Sequence, residues 1–436
     1  MLQNSSSLSR VMEQETISKN GASSKSQMSR RNSLRKTYFV LLTIFLFIAS
    51  CSNAVKAQVE ISSEEFRTRN QAIDNYLGEC LEKKDYKAGE KILQEAITLF
   101  NQLSEKNQET HKRYQAVNYF NLTCVYSLQN QKKKALDTFE KAVYEYEWYD
   151  YSHALIDTDL DNIRTDERFI SIMQFIRGKA DFIYILRQAG KYQSPDVKEL
   201  PSFTYEASTS WNLKEVKNFF NLDAIAGKGD EISKIINLLK WAHDNIRHDG
   251  SNYALCEFDA IDIYNYHKST GKGVNCRHLA IALNEMYLAM GFKSRFVTCI
   301  AKDETDAHVI NSVYSTTLKK WLWIDPTMNA YWRDENGNLL SIEEVRERLI
   351  VNHTLVLNED ANWNNQNKQT KEGYLDNWMS KYLYWFSCPA NFCFNPESRY
   401  RDTNQTYINL CPLGYEPSSL NAKRVITHDA TYFWEH

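Results

Sequence analysis

Glycine and proline are scarce in this chain, 14 and 7 among 436 residues. That scarcity excludes collagen-like and linker-type architectures, whose backbones depend on those residues. The nine cysteines (Cys51, Cys80, Cys124, Cys256, Cys276, Cys299, Cys388, Cys393 and Cys411) include no CxxC pair and no zinc-ligand spacing. A zinc ribbon and a thioredoxin-type redox site are therefore excluded, and no metal or organic cofactor is expected. Neither sign of charge is in large excess: the net value is −3, which gives no electrostatic footprint for nucleic acid. No apolar run reaches the ~20 residues that cross a bilayer as a helix. Aromatics are plentiful, with 26 Tyr, 20 Phe and 10 Trp, so the chain has ample material for packed cores. At this length two or three domains are expected.

The longest apolar run, Tyr38 to Ser50 (YFVLLTIFLFIAS), follows Arg30, Arg31, Arg35 and Lys36. Basic residues before a short apolar segment have the form of a signal peptide. Ile48-Ala49-Ser50-Cys51 resembles a bacterial lipobox, in which small residues admit the chain to a peptidase cleft and the Cys51 thiol accepts the lipid. Residues 1–57 are thus read as signal and linker, with Cys51 as the lipidation site of an exported cell-envelope lipoprotein. The alternative is cleavage after Ala57, which would free a soluble secreted or periplasmic protein.

Residues 58–195 carry helical periodicity. In AVNYFNLTCVYSLQNQKKKALDTFEKAVYEY, the positions Tyr119, Leu122, Thr123, Tyr126, Ala135, Phe139 and Ala142 fall at tetratricopeptide spacing. Gly89, Leu93 and Ala96 repeat part of that pattern upstream. Small residues let two antiparallel helices approach while the aromatics fill between them, so a tetratricopeptide-like helical domain is expected, acting as a brace or a surface for a protein partner. The alternating Asp157, Asp159 and Asp161 lack the Gly and Glu that a calcium loop requires at its sixth and twelfth positions.

Chemistry concentrates in residues 196–350. Helix-period apolar residues Ile232, Ile235, Ile236, Leu239 and Ala242 precede a Gly-rich turn, Gly271 and Gly273. A second helix follows, with Leu279, Leu283, Met286 and Tyr287 inward and Gly291 at its end. Cys276 falls in its first turn, where free amides and the helix dipole favour a thiolate. Two strand-like segments follow, SRFVTCIA and DAHVINSVYS, the second alternating and exposing His308; then WLWIDPT ends at Asp325. A thiol, then a His, then a carboxylate supply a nucleophile, a base and a residue that fixes the base's tautomer.

GVNCRHLAIALNEMYLAMG and AHVINSVYSTTLKKWLWIDPT together resemble the transglutaminase-like core, a papain-type fold, over roughly residues 225–335. The resemblance implies an α+β catalytic domain with Cys276 as nucleophile, His308 as general base and acid, and Asp325 as its orienting partner. It further implies acyl transfer through a Cys276 thioester on peptide or glutamine-type amides. The Cys276 backbone amide and the Asn245 side chain are the expected oxyanion donors. Arg277 reads as solvated, and His278 as a surface or capping residue. Hydrolysis, as a cysteine peptidase or amidase, is the first reading because water is the more abundant acceptor outside the cytoplasm. Transfer to amines, and a non-catalytic scaffold, are the alternatives.

Ser341 and Glu344 form a capping-box pattern. Residues 351–436 are rich in Asn and aromatics and are expected to pack on the core as an extra layer with a few late strands. Cys388 and Cys393 are close enough in sequence to consider a disulfide in an exported protein.

Overall fold

The computed structural model describes residues 60–192, 199–418 and 423–436. The signal segment and Cys51 lie outside them. The chain divides into two compact units between Ile176 and Arg177. Sequence placed the division some twenty residues later, at the proline-bearing stretch. The earlier boundary has a packing reason: helix Phe182–Gln188 buries Leu186 in the core of the second unit.

The first unit is helical. Helices α1 (Ser63–Glu82), α2 (Tyr86–Phe100), α3 (Lys112–Leu128) and α4 (Lys132–Glu140) pack on their neighbours in succession. Ser62 caps α1 by accepting from the Glu65 amide, and Asp85 caps α2 by accepting from that of Ala88, so orphan amides at both starts are satisfied. A connection of three residues, Lys83 to Asp85, leaves α1 and α2 as adjacent partners. The small positions Gly89, Ala96, Ala135 and Ala142 are all buried. At Gly89 an added Cβ would touch Leu77 of α1 and Val125 of α3 at 3.5 and 3.6 Å, so this is where three helices converge.

The second unit is built around a six-stranded sheet. Its strands are β1 (Ser294–Ile300), β2 (Ala307–Ser315), β3 (Lys320–Ile324), β4 (Trp385–Pro389), β5 (Tyr407–Leu410) and β6 (Arg424–Thr427), in the order β6-β5-β4-β1-β2-β3. All neighbours are antiparallel except β5 and β6. Half of the sheet therefore comes from residues 351–436. The C-terminal segment continues the sheet beside β1, with Phe386 opposite Cys299, as well as packing on it. Every residue of β4 is buried, and the strand is paired on both edges, with β5 and β1.

Helix α8 (Cys276–Ala289) crosses this sheet against β1 and β2. It is enclosed on its other sides by α5 (Trp211–Phe220), α6 (Glu231–Asn245) and α7 (Ala260–Thr270). Every residue from His278 to Ala289 is buried as a result, polar ones included. Leu279, Leu283 and Met286 each contribute about 1.5–3 kcal/mol of burial. Polar ties fix the helix in place: Asn311 of β2 donates to the Ala280 carbonyl at 2.9 Å, and the Tyr287 hydroxyl to that of Ile235 at 2.8 Å. The Ser341–Glu344 capping box opens helix α9 (Ile342–Ile350). Cys388 and Cys393 carry free thiols.

Candidate active site

Cys276 is the first residue of α8, and the residue before it makes that start. Asn275 is extended and its side-chain oxygen accepts from the His278 amide at 3.1 Å, which caps the helix. The same oxygen accepts from Nδ1 of His278 at 2.7 Å. His278 is accordingly fully buried, stacked on Phe258 at 4.5 Å between ring centres, and not at the surface. Two residues upstream of Asn275, Gly273 admits a close backbone crossing: an added Cβ would lie 2.6 Å from the Asp249 Cβ. That crossing lets Val274 pair with His248 in a short parallel bridge, through Asp249 N–H to the Val274 carbonyl (2.7 Å) and Val274 N–H to the Arg247 carbonyl (2.8 Å). The end of α6 is thereby stitched to the start of α8.

His308 and Asp325 meet through strand register. Asn311 pairs with Ile324, so continuing one step sets Asp325 across from Ile310, two residues from His308 and on the same face. Nε2 of His308 lies 2.9 Å from Oδ2 of Asp325, and both side chains are buried. This leaves Nδ1 as the nitrogen available to the thiol. Sequence alternation placed His308 on an exposed face, but eight successive residues of β2 are buried. The covering comes from the C-terminal segment: Trp378 lies 4.7 Å from the imidazole centre and Tyr382 lies 6.4 Å away, the latter donating to Asp306.

Asp325 has two further donors. The Tyr374 hydroxyl reaches Oδ2 at 2.6 Å, and the Thr327 amide reaches Oδ1 at 2.8 Å. Together with His308 they hold its carboxyl below the ordinary range against a burial that alone would raise it.

The thiol and imidazole are shifted in opposite directions. Burial pushes the Cys276 thiol up, but hydrogen bonds from His248 and His308, the charge on His308 and the Val309 amide outweigh it and bring it down to about 6. Burial pulls the His308 imidazole down, while the Asp325 carboxylate and the thiolate hold it up at about 10. Between those values the thiolate–imidazolium form is favoured. Cys299, opposite His308 in the sheet, is pushed well above the ordinary thiol value by its burial, so proximity to the histidine alone does not activate a thiol.

Other expected residues are placed differently. Arg277 is not solvated: it forms a two-pronged pair with Glu397 (2.7 and 2.5 Å) and donates to the Thr298 hydroxyl at 3.1 Å. Its partner lies in the C-terminal segment, where Tyr407 also donates to Glu397. The Asn245 side chain, expected as an oxyanion donor, donates back to the Trp241 carbonyl of its own helix at 2.9 Å. The residue that faces the thiol from this side is His248, three positions on. Local sequence gives no sign of it, or of Tyr374 and Trp378, because their contacts reach across distant stretches of the chain. The one set of described Cys, His, Asp or Glu side chains with ligand atoms close enough to share a metal ion is Cys124, Asp157 and Asp159, in the first unit and not at this site.

The model of the transglutaminase-like superfamily core matches residues 220–326, a stretch that includes Cys276, His308 and Asp325. The chain thus carries a transglutaminase-like domain within a mixed helix and sheet unit, and that superfamily is generally enzymatic and cysteine-protease-like. Searches of curated proteins and of solved structures return no match.

Proposed function

We propose that this protein is a thiol acyl-transfer enzyme, and that it hydrolyses peptide or glutamine-type amides. Cys276 is the nucleophile, His308 the general base and acid, and Asp325 the residue that fixes the imidazole. The opposed shift of the half-buried thiol and the buried imidazole, thiol down and imidazole up, carries this reading. The thiolate adds to the carbonyl carbon and the carbonyl electron pair moves to oxygen. Collapse breaks the C–N bond as His308 protonates the leaving nitrogen. Water, deprotonated by His308, then cleaves the thioester.

The test is mass spectrometry of the protein incubated with glutamine-containing peptides and quenched in acid. A mass increment on the Cys276 peptide, absent in Cys276→Ser, together with released ammonia or a new peptide amine, is the expected result. Added hydroxylamine or a primary alkylamine separates the two outcomes of the shared intermediate: stoichiometric capture in place of acid product indicates transfer as the working reaction. Absence of any acyl-enzyme across amide, ester and thioester donors would favour a non-catalytic scaffold.

The N-terminal sequence supports export, with lipid attachment at Cys51. Incorporation of labelled fatty acid that disappears in Cys51→Ala is the expected outcome, and none of the described helices is long and apolar enough to cross a membrane. The paired helices of the first unit are proposed as a tetratricopeptide-like brace or partner surface.

A further inference from the structure

One buried nitrogen in the segment bridged to the start of the Cys276 helix has no hydrogen-bond partner: Nε2 of His248. The rest of that residue is held on every other side. Its amide donates to Oδ1 of Asn364 at 2.8 Å, and its carbonyl accepts from Nδ2 of the same Asn364 at 2.9 Å. Its Nδ1 accepts from the indole Nε1–H of Trp363 at 3.0 Å. An indole nitrogen can only donate, so Nδ1 must offer its lone pair and the ring proton resides on Nε2. The parallel bridge between His248 and Val274 fixes this ring two residues before Cys276. With its proton already on Nε2, the ring is a donor there and not a base, which leaves the base's work to His308.

We infer that His248 is a catalytic residue of the acyl-transfer reaction proposed above, its Nε2–H donating to the oxyanion beside the backbone amide of Cys276, and that Trp363 is a positioning residue which sets the tautomer. In the resting site this ring is among the groups that bring the Cys276 thiol down. When the C–S bond forms and the carbonyl electron pair moves to oxygen, the negative charge leaves sulfur, and the donor follows it to the adjacent oxygen. A donor fixed in advance at the helix start costs no reorganisation during the step.

The experiment compares two reagents on the full chain. Acylation by 4-nitrophenyl acetate passes through a tetrahedral oxyanion, whereas alkylation by iodoacetamide displaces iodide at a saturated carbon and does not. Both rates are read at a pH above each variant's own alkylation midpoint, with modification located at Cys276 by peptide mass. For His248→Ala the acylation-to-alkylation ratio is expected to fall about 100- to 1000-fold, the loss seen when one oxyanion donor is removed. His248→Gln, whose side-chain amide reaches the Nε2 position, is expected to recover most of it, and His248→Asn, which places its donor nearer Nδ1, is not. Trp363→Phe should lower the ratio by an intermediate amount with the circular dichroism spectrum retained.

A ratio unchanged in His248→Ala and His248→Asn overturns the inference while leaving Cys276 and His308 as proposed. A wild-type Cys276 that alkylates as an ordinary thiol overturns the proposed function instead. If His248→Ala does not fold, the contrast between the Gln and Asn variants decides the question.

Discussion

Replacing His308 by Ala removes an imidazolium whose charge helps bring the Cys276 thiol down. Of the groups that bring the thiol down, His248 and the Val309 amide then remain, both hydrogen-bond donors, opposed by a burial that pushes the thiol up. The thiol is expected to return from about 6 to the ordinary value of ~8.5 or above. At pH ~5.5 the ionised fraction would drop from about a quarter to about one part in a thousand. A more basic thiolate is also a better nucleophile, by about 10-fold over this interval at a Brønsted slope of 0.4–0.5. The net expectation is a ~20-fold slower alkylation at pH ~5.5, parity somewhat above pH ~7, and a ~10-fold faster alkylation at pH ~9.5. The assay is iodoacetamide modification against pH, quantified on the Cys276 peptide in wild type and His308→Ala. Crossing curves distinguish loss of the ion pair from a general collapse of the site, which lowers or raises the whole curve. Parallel curves, or a wild-type midpoint near 8.5, would refute the reasoning.

Turnover should be bounded on both sides in wild type, with kcat/KM rising through about pH 6 as the thiolate forms and falling through about pH 10 as the imidazolium is lost. A profile with only the lower limb removes His308 from the role of acid. Tyr374→Phe leaves the buried Asp325 carboxylate short of one donor and should lower unfolding stability by about 1.5–3 kcal/mol in urea titrations at neutral pH. The sign follows from the depressed carboxyl of Asp325: its stabilisation is complete above the unfolded value of ~3.9 and is lost as pH falls through the lower folded value, so the difference between variant and wild type should close in acid. A difference that persists unchanged at low pH would assign it to packing alone. Arg277→Ala strands Glu397 and is expected to cost about 3 kcal/mol, and Arg277→Lys, unable to reproduce the two-pronged pair, should recover less than half. Full recovery by Lys would show that charge and not geometry is what Glu397 requires.

The parts of the site that sequence exposes are those set by neighbouring residues. Cys276 is legible because a helix start announces itself locally, through glycines before and an apolar face after. His308 and Asp325 are legible because a hairpin converts sequence spacing into register. The burial of His308 is not, since alternation along β2 reports one strand and the residues that cover it, Trp378 and Tyr382, arrive some seventy positions later. The ion pair of Arg277 is hidden from local sequence for the same reason: its carboxylate is Glu397, 120 positions away. Helical position alone points to Asn245 as a donor, and one N–H of its amide goes to the Trp241 carbonyl of its own helix. The nearby His248 gives no local signal, because what makes it informative is the indole of Trp363.

These non-local partners fall into a pattern. Cys276, His308 and Asp325 all lie within the matched stretch, residues 220–326, whereas Trp363, Tyr374, Trp378 and Glu397 lie beyond it. The C-terminal segment thus holds each candidate site residue or its neighbour: Trp363 and Asn364 grip His248, Tyr374 engages Asp325, Trp378 covers His308, and Glu397 anchors the residue after Cys276. It also supplies β4, which closes the edge of β1 beside Cys299 and His308. Asn and aromatic residues suit this work, since indoles and phenols provide bulk and one directional donor each, and amides both donate and accept. The composition that made residues 351–436 look like an appended layer is the composition required to fix a buried charged site from outside.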